Sequence, residues 1–290
     1  MSASEVPAPG VPGPAVSARQ RERDAYRSRR TRIRIVIGTV STVVVLGLLV
    51  WVVVQAPGWP RVRQTFFSGF HARESFPYVW DAFWLNVRLF LVVELLVLPL
   101  ALLVAVVRVV PSPAMTPFKI LAAAYTDVFR GTPTLLVVLL IGFGLPALNL
   151  TGLPTSLFWL GAIALTLSYG AYVAEVLRAG IVSVHPTQWA SGRALGLSYG
   201  QTLTRVVLPQ AVRNVTPPLL NDFVSLQKDT ALVSTIGLVE ALRAASVYQA
   251  NTFNFTSLCV AALFFIALTI PLARFTDWLT VRSMRRQGGP

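Results

Sequence analysis

The chain has 290 residues, of which 54% are hydrophobic and only 13% charged. Soluble domains carry about 25% charged residues, so this composition points into a bilayer and excludes an ordinary soluble domain. The formal net charge of +13, from 25 basic and 12 acidic residues, then reads as arginine-rich ends beside anionic lipid rather than as a nucleic-acid surface.

Residues 1–18 are rich in Pro, Ala and Gly and lack periodicity, and eight arginines follow between Arg19 and Arg34. Residues 1–32 are therefore expected as a disordered, arginine-rich cytoplasmic tail. The apolar segment 33–55 contains an uncharged run of 20 residues, 35–54. That is enough to cross a hydrocarbon core of ~30 Å at ~1.5 Å per residue. A signal peptide has a shorter apolar core, so this is an uncleaved anchor, and its arginines hold the N-terminus in the cytoplasm.

A second span is expected over 83–107. It carries Glu94 inside, Arg88 near its outer end, and Pro99, which packed neighbours tolerate. "RVVPSPAMTPFK" breaks the pattern before a third span, 120–143, which Asp127 and Arg130 interrupt early. The turn-like "LPALNLTGLPTS" separates it from a fourth span, 157–172. "NVTPPLLNDFVSLQKDTALVSTIGL" is apolar enough to enter the bilayer yet holds Asn221, Asp222, Lys228 and Asp229, so it is a fifth span with a polar face. A sixth span covers 257–273 and is followed by arginines and a short cytoplasmic tail, 283–290. The fold class expected is an all-α integral membrane protein with about six transmembrane helices. An even count puts both arginine-rich termini in the cytoplasm.

Between spans four and five lies a polar, glycine-rich segment, 183–210, with "ASGRALGLSYGQTLTRVVLPQ" at its centre. Pro186 suits the first turn of a helix that runs towards Leu195 and stops at Gly196. Ser198 and Gln201 form a capping-box pattern for a second helix. Tyr199, Leu203, Val206 and Val207 recur on one apolar face, Thr202 and Arg205 fall elsewhere, and Pro209 marks the exit. A hairpin resting on its own membrane domain and a docking element for a cytoplasmic protein both fit this pattern. A DNA-reading helix-turn-helix does not, because a short loop between spans could hardly approach a duplex.

Cys259 is the one cysteine, which rules out an intrachain disulfide. His71 and His185 are far apart and no Cys/His cluster supports a metal, so no metal site and no catalytic residue are assigned. Neither lysine, Lys119 or Lys228, follows a glycine or precedes Ser or Thr, so there is no Walker A loop.

The segment resembles the coupling motif of ABC-importer permeases: Glu-Ala-Ala, three residues, Gly, nine residues, Ile-x-Leu-Pro. Here it aligns as Ala190, Ser191, Gly192, then Gly196, then Val206, Leu208 and Pro209, with "ASG" in place of "EAA". "FRGTPTLLVVLLIGFGLP" from Phe129, "AYVAEVLRAGIVSVHPTQW" from Ala171 and the stretch from Leu208 are similar to permeases for polar amino acids of the histidine, glutamine and glutamate type. The resemblance covers about Trp84 to the end, with 79–282 as the permease domain and the first span as an extension. It implies a path built with a second permease subunit, identical or homologous. It also implies two cytoplasmic ABC ATPase subunits that bind the ATP and Mg, an extracellular substrate-binding protein, and a bacterial cytoplasmic membrane. Gln188, Trp189, Ala190, Arg193, Ala194, Gly196, Leu197 and Pro209 would then form the ATPase contact. With Ala190 where the family has glutamate, Arg193 is the nearest charge for an acidic partner.

Asn86, Glu94, Arg130, Thr132, Glu175, Asn221, Asp222 and Lys228 are the polar groups nearest the spans and the candidates for the substrate path. Each also has a plainer role as a cap or interhelical bond. As a set they matter more, since ionisable groups in lipid need a partner or water. A zwitterionic substrate needs a cation for its carboxylate, which suits the Arg130 fork, and an acceptor for its ammonium, which Glu175 offers. The expected function is ATP-driven import of a polar amino acid, with glutamate or a related acidic or amide amino acid favoured. An ion-gradient transporter or channel is the alternative and predicts inverted repeats, which the sequence lacks by eye.

Overall fold

The computed structural model describes residues 18–285. The chain divides into a first unit ending at Val62 and a second beginning at Arg63.

The first unit is dominated by one continuous helix, α1 (Ala18–Gln55). The tail expected over 1–32 is thus helical from Ala18, and residues 1–17 lie outside the described residues. The reason is local: arginine is a good helix former, and no Gly or Pro occurs from Ala18 to Ile37. Within the apolar part, the Ser41 and Thr42 hydroxyls both donate to the Gly38 carbonyl, at 3.0 and 2.8 Å, so neither is left bare to lipid. Helix α2 (Trp59–Phe66) follows.

In the second unit, α3 (Gly69–Val109) is 41 residues long and starts well before the expected 83. Ser68 caps it, its side chain accepting from the His71 N–H at 3.5 Å. The helix passes through Pro77 and Pro99 and buries Val79, Phe83, Leu89, Val93 and Val97 along one side. It ends before Pro111, which disfavours helical backbone at Val110. The unit itself begins upstream of 79: the Phe255 N–H donates to the Thr65 carbonyl at 2.8 Å, and Phe66 stacks on Phe255 at 5.0 Å.

The third expected span, 120–143, is not one helix. Helix α4 (Thr116–Gly131) and helix α5 (Thr134–Ala147) meet at a bend of 107°. Pro133 causes it, because its ring drives Thr132 into extended backbone (φ −103°, ψ 130°) and it has no N–H to continue the ladder.

Helix α6 (Leu157–Val182) runs ten residues past the expected 172 and sits at the centre of the unit. Its buried residues are mostly small (Gly161, Ala162, Ala164, Ala171, Ala174), which lets α3, α4 and α5 approach closely. The Tyr125 hydroxyl of α4 donates to the Leu167 carbonyl of α6 at 2.7 Å, a bond that hydrocarbon cannot replace. Two short helices, α7 (Pro186–Ala194) and α8 (Tyr199–Thr202), lead through one π-helical turn into α9 (Leu208–Asp229). A 3-10 stretch, Thr230–Ile236, then precedes α10 (Ala241–Thr252), with a bend of 49°. Helix α11 (Thr256–Arg285) closes the unit and extends beyond the expected 257–273 and 282 limits; residues 286–290 of the expected 283–290 tail lie outside the described residues.

Among the described residues four helices are long and apolar enough to cross a membrane, or up to six if each bent pair is one span. The expected six spans therefore hold with the third and fifth broken. The main core joins Leu89, Val93 and Val97 of α3, Leu160 and Leu165 of α6, and Leu226 of α9. A second cluster, Val79, Phe83, Ala241, Ala245, Val260 and Ala261, fastens α10 to the starts of α3 and α11.

Candidate functional site

The segment between α6 and α9 is built as a rigid two-helix corner. His185 caps α7, its ring nitrogen accepting from the Thr187 N–H at 3.3 Å. Gly196 reverses the chain at φ +79°, a left-handed conformation that glycine adopts without cost. Ser198 then caps α8 with both bonds of a capping box: its hydroxyl accepts from the Gln201 N–H at 3.3 Å, and its own N–H donates to Gln201 Oε1 at 2.8 Å. Two packing devices close the corner. Trp189 stacks on Tyr199 at 5.0 Å and 25°. Thr202 lies against Gly192 so closely that a Cβ on Gly192 would stand 2.6 Å from Thr202 Cγ2.

Two expectations change here. Thr202 was placed off the apolar face, yet it is fully buried, because α8 turns it into the gap that Gly192 leaves. Pro209 was placed at an exit, yet the helix runs through it. The π-helical turn Leu203–Val207 widens the ladder, with the Leu208 N–H donating to the Leu203 carbonyl, and Pro209 falls in the first turn of α9 where no N–H is needed. Val207 and Ala211, with Val184, anchor the corner to the ends of α6 and α9, and Trp189 and Leu203 pack on them. Gln210 donates to Gln188 at 3.4 Å across the corner. The opposite face is open: Ala190, Arg193, Ala194 and Gly196 are exposed, and Leu195 is 82% exposed at the tip, with Leu197 half-buried beside it.

Above this corner α3, α4 and α6 are tied by charge. Glu175 accepts from Arg108 at 2.6 Å and from Arg178 at 2.5 Å, and Arg108 also donates to Thr126 Oγ1 at 2.9 Å. Glu175 is therefore committed to two arginines rather than presented as the acceptor for a substrate ammonium. Its partners lie 67 residues upstream and one turn downstream. Asn86 is also structural. Its Nδ2 donates to Glu240 Oε2 at 2.9 Å and to Thr230 Oγ1 at 3.1 Å, and its Oδ1 accepts from the Ala241 N–H at 3.1 Å. Glu240, which the sequence reading did not single out, is fully buried and caps α10 by accepting from the Leu242 and Arg243 N–H groups.

The remaining path candidates converge partly. Phe90 and Phe223 meet at 4.8 Å, which brings α3 and α9 together beside Glu94 and Asp222, and these two carboxylates interact electrostatically. Asp222 Oδ2 is buried and has no hydrogen-bond partner among the described residues. Tyr169 of α6 donates to Asp229 Oδ2 at 2.8 Å, and its ring lies 6.3 Å from that of Tyr172. The Tyr172 hydroxyl in turn donates to the Arg130 carbonyl at 3.3 Å, next to the α4–α5 break. Thr132 is turned back on its own helix, donating to the Val128 carbonyl at 2.8 Å. The Arg130 side chain, Asn221 and Lys228 are exposed. The chain thus joins a helix break, two tyrosines and three carboxylates around α6, whose far end carries the corner.

Residues 98–285 match the family described as binding-protein-dependent transport system inner membrane component. The chain belongs to this family. Among its relatives, the arginine transport system permease protein ArtQ of Bacillus subtilis (strain 168) is 33% identical over 197 residues, 68% of this chain and 88% of that protein. The probable glutamine ABC transporter permease protein GlnM of the same organism is 34% identical over 184 residues, 63% of this chain and 82% of that protein. A crystal structure of an amino acid ABC transporter with histidines superposes with a TM-score of 0.65 at 30% identity, covering 71% of this chain and 94% of that one. This permease is a membrane transport component of the polar amino acid group rather than an enzyme, and it is a multi-pass protein of the inner membrane. The match begins at residue 98, so α1 lies outside the family region.

Proposed function

We propose that the chain lines the path of an ATP-driven importer and that its open corner at Arg193–Leu195 docks into a cytoplasmic ATPase. The observation that carries this reading is the construction of the corner. It is capped, stacked and anchored on its inner face, yet it exposes a leucine at 82% beside an arginine on its outer face. An isolated hairpin would bury that leucine. In the assembly, two permease subunits enclose the path, two ATPase subunits bind ATP and Mg beneath them, and an extracellular binding protein delivers the amino acid. Both termini are cytoplasmic in this arrangement, on the side of the corner. Pulling down the ATPase with the intact chain tests the docking. Arg193→Ala combined with Leu195→Asp is expected to lower ATPase retention by at least about tenfold, the scale of one lost central contact. Unchanged retention would remove the corner from the contact.

The substrate is a polar amino acid. The buried, partnerless Asp222 Oδ2 supports capture of its ammonium there, with Glu94 beside it. The exposed Arg130 at the helix break serves its carboxylate. A second carboxylate on the substrate would face Glu94, Asp222 and Asp229, so within the acidic or amide amino acids that the sequence suggests an amide such as glutamine is favoured over glutamate, and arginine is favoured beside it. Proteoliposomes holding the permease, its ATPase and its binding protein provide the test. Arginine or glutamine uptake should require ATP and exceed glutamate uptake. Asp222→Asn and Arg130→Ala should each reduce it about tenfold or more, as loss of a charge-assisted bond implies, without loss of assembly. Uptake driven by an ion gradient with the ATPase absent would overturn the reading.

A further inference from the structure

A cleft of about 620 Å³ lies between α3 and α10, within the roughly 300–1,000 Å³ of small-molecule sites. Glu74, Tyr78 and Asp81 of α3 line one side, and Ala244, Tyr248 and Asn251 of α10 line the other. The three α3 residues follow at i, i+4 and i+7, so they share one face of that helix. Both walls are fixed in place. His71 Nδ1 and the Tyr248 hydroxyl share a hydrogen bond at 2.9 Å, and Val79 and Phe83 pack on Ala241 and Ala245. Glu74 acts electrostatically on Tyr248 across the cleft.

The cleft lies far from the corner. Arg108, at the other end of α3, is bound to Glu175, about two turns before α6 ends at the corner. Asp81 and Glu74 stand about 40 and 50 Å from Arg108 along α3, and a hydrocarbon core is only about 30 Å thick. With the corner in the cytoplasm, the cleft is on the outer side. Its chemistry selects a cation. The chain carries 25 basic and 12 acidic residues, yet two carboxylates and no basic residue line the cleft. Both carboxylates are exposed, and neither is in an ion pair among the described residues. They are about 10 Å apart along the helix axis, a spacing that suits two separate positive groups better than one metal ion. A basic amino acid carries two such groups, its α-ammonium and its side-chain guanidinium or ammonium. Ala244 and Val247 offer apolar surface to the methylenes between them. Tyrosine rings attract cations, and the Asn251 amide has donors for the carboxylate.

We propose that this cleft is an outer binding site for a basic amino acid, arginine or lysine, before it enters the path. Its sidedness rests on the importer reading, and its chemistry favours the basic members of the polar amino acids. It is separate from the Asp222 region, because Glu94 lies about 20 Å further along α3 than Asp81.

Equilibrium binding of radiolabelled arginine to the purified full chain in nanodiscs, without ATP, ATPase or binding protein, is the test. Citrulline, which has the shape of arginine without its side-chain charge, is the comparison. An Asp222→Asn background keeps the inner carboxylate from contributing. Arginine should bind about tenfold or more tightly than citrulline, as one charge-assisted bond implies. Adding Glu74→Gln and Asp81→Asn should remove that preference. Both side chains are exposed and the amides match them in size, so the melting temperature should hold. In proteoliposomes with the ATPase and the binding protein, the same two substitutions in the otherwise intact chain should lower the ratio of arginine to glutamine uptake severalfold. Equal binding of arginine and citrulline would overturn the outer site, as would a preference that survives both substitutions. An equal fall in the two uptakes would overturn it as well and assign the acids to docking of the binding protein. Uptake that needs no ATP would sink the importer reading alone, because the binding comparison contains no nucleotide.

Discussion

Gly192→Ala should uncouple the permease. The added methyl would stand 2.6 Å from Thr202 Cγ2, with Oγ1 at 3.1 Å and Cβ at 3.3 Å, and Thr202 is fully buried with its hydroxyl donating to the Ser198 carbonyl at 3.0 Å. It cannot swing aside without leaving that bond. The corner must open between α7 and α8, at about 1–3 kcal/mol for an overpacked site. The cost falls on the one element whose task, in the proposed assembly, is to pass a displacement of the ATPase to α6 and α9. Substrate-stimulated ATP hydrolysis and uptake are expected to fall about tenfold or more, while the permease still inserts and folds. Loss of the Trp189–Tyr199 stack, read as a change in tryptophan emission, should accompany it. Thr202→Ser removes the offending methyl, so Gly192→Ala with Thr202→Ser should regain part of the coupling. A double variant as poor as the single one would show that the Gly192–Thr202 contact is not what matters.

The same pair bears on the third position at which the chain departs from the family motif. Where the resemblance calls for Glu-Ala-Ala, this chain has Ala190, Ser191 and Gly192, and its facing residue is a threonine. The missing Cβ at Gly192 and the extra methyl at Thr202 are complementary. The sequence could not display this, because the two residues are ten apart and the fit depends on the turn at Gly196. What the sequence did display was local. The Ser198–Gln201 box, the stop at Gly196 and the start at Pro186 each act within four residues, and each is present. Apolar runs located the spans, but they set the limits of α3, α6 and α11 too tightly, since a helix continues through charged residues once one side is packed. The break at Thr132–Pro133 was written in the chain as a proline, yet the apolar runs before Asp127 and after Pro133 read as one span and concealed a bend of 107°. Glu175 was offered as an acceptor for a substrate ammonium beside a plainer structural role; Arg178, one turn on, was a legible partner, but Arg108 lies 67 residues away and no periodicity reports that pairing.

Glu240→Ala should prevent the protein from folding. Glu240 is fully buried and its two carboxylate oxygens satisfy three donors: the Asn86 amide at 2.9 Å, the Leu242 N–H at 3.0 Å and the Arg243 N–H at 2.8 Å. Alanine would take away the shared acceptor of all three donors at a position that is itself fully buried. Each unsatisfied buried donor costs about 1–3 kcal/mol, so the sum is comparable with the whole stability of a typical domain. The loss would also spread. Asn86 holds Thr230 and the Ala241 N–H at the same time, so releasing it frees the 3-10 stretch after α9 as well as the start of α10. Detergent-solubilised Glu240→Ala should run as aggregate on size-exclusion chromatography, with little monodisperse protein. Glu240→Gln keeps one acceptor oxygen for the cap and should survive with a lowered melting temperature. Asn86→Ala should lie between the two, because the cap remains while the clamp to α3 is lost. If Glu240→Ala instead yields a stable protein with normal melting, this carboxylate does not hold α3, α9 and α10 together. The sequence carried a faint signal for the site, an acid immediately before the run "ALRAA", where an N-cap belongs. Its partner Asn86 lies 154 residues earlier, so only the fold turns a helix cap into the joint between three helices.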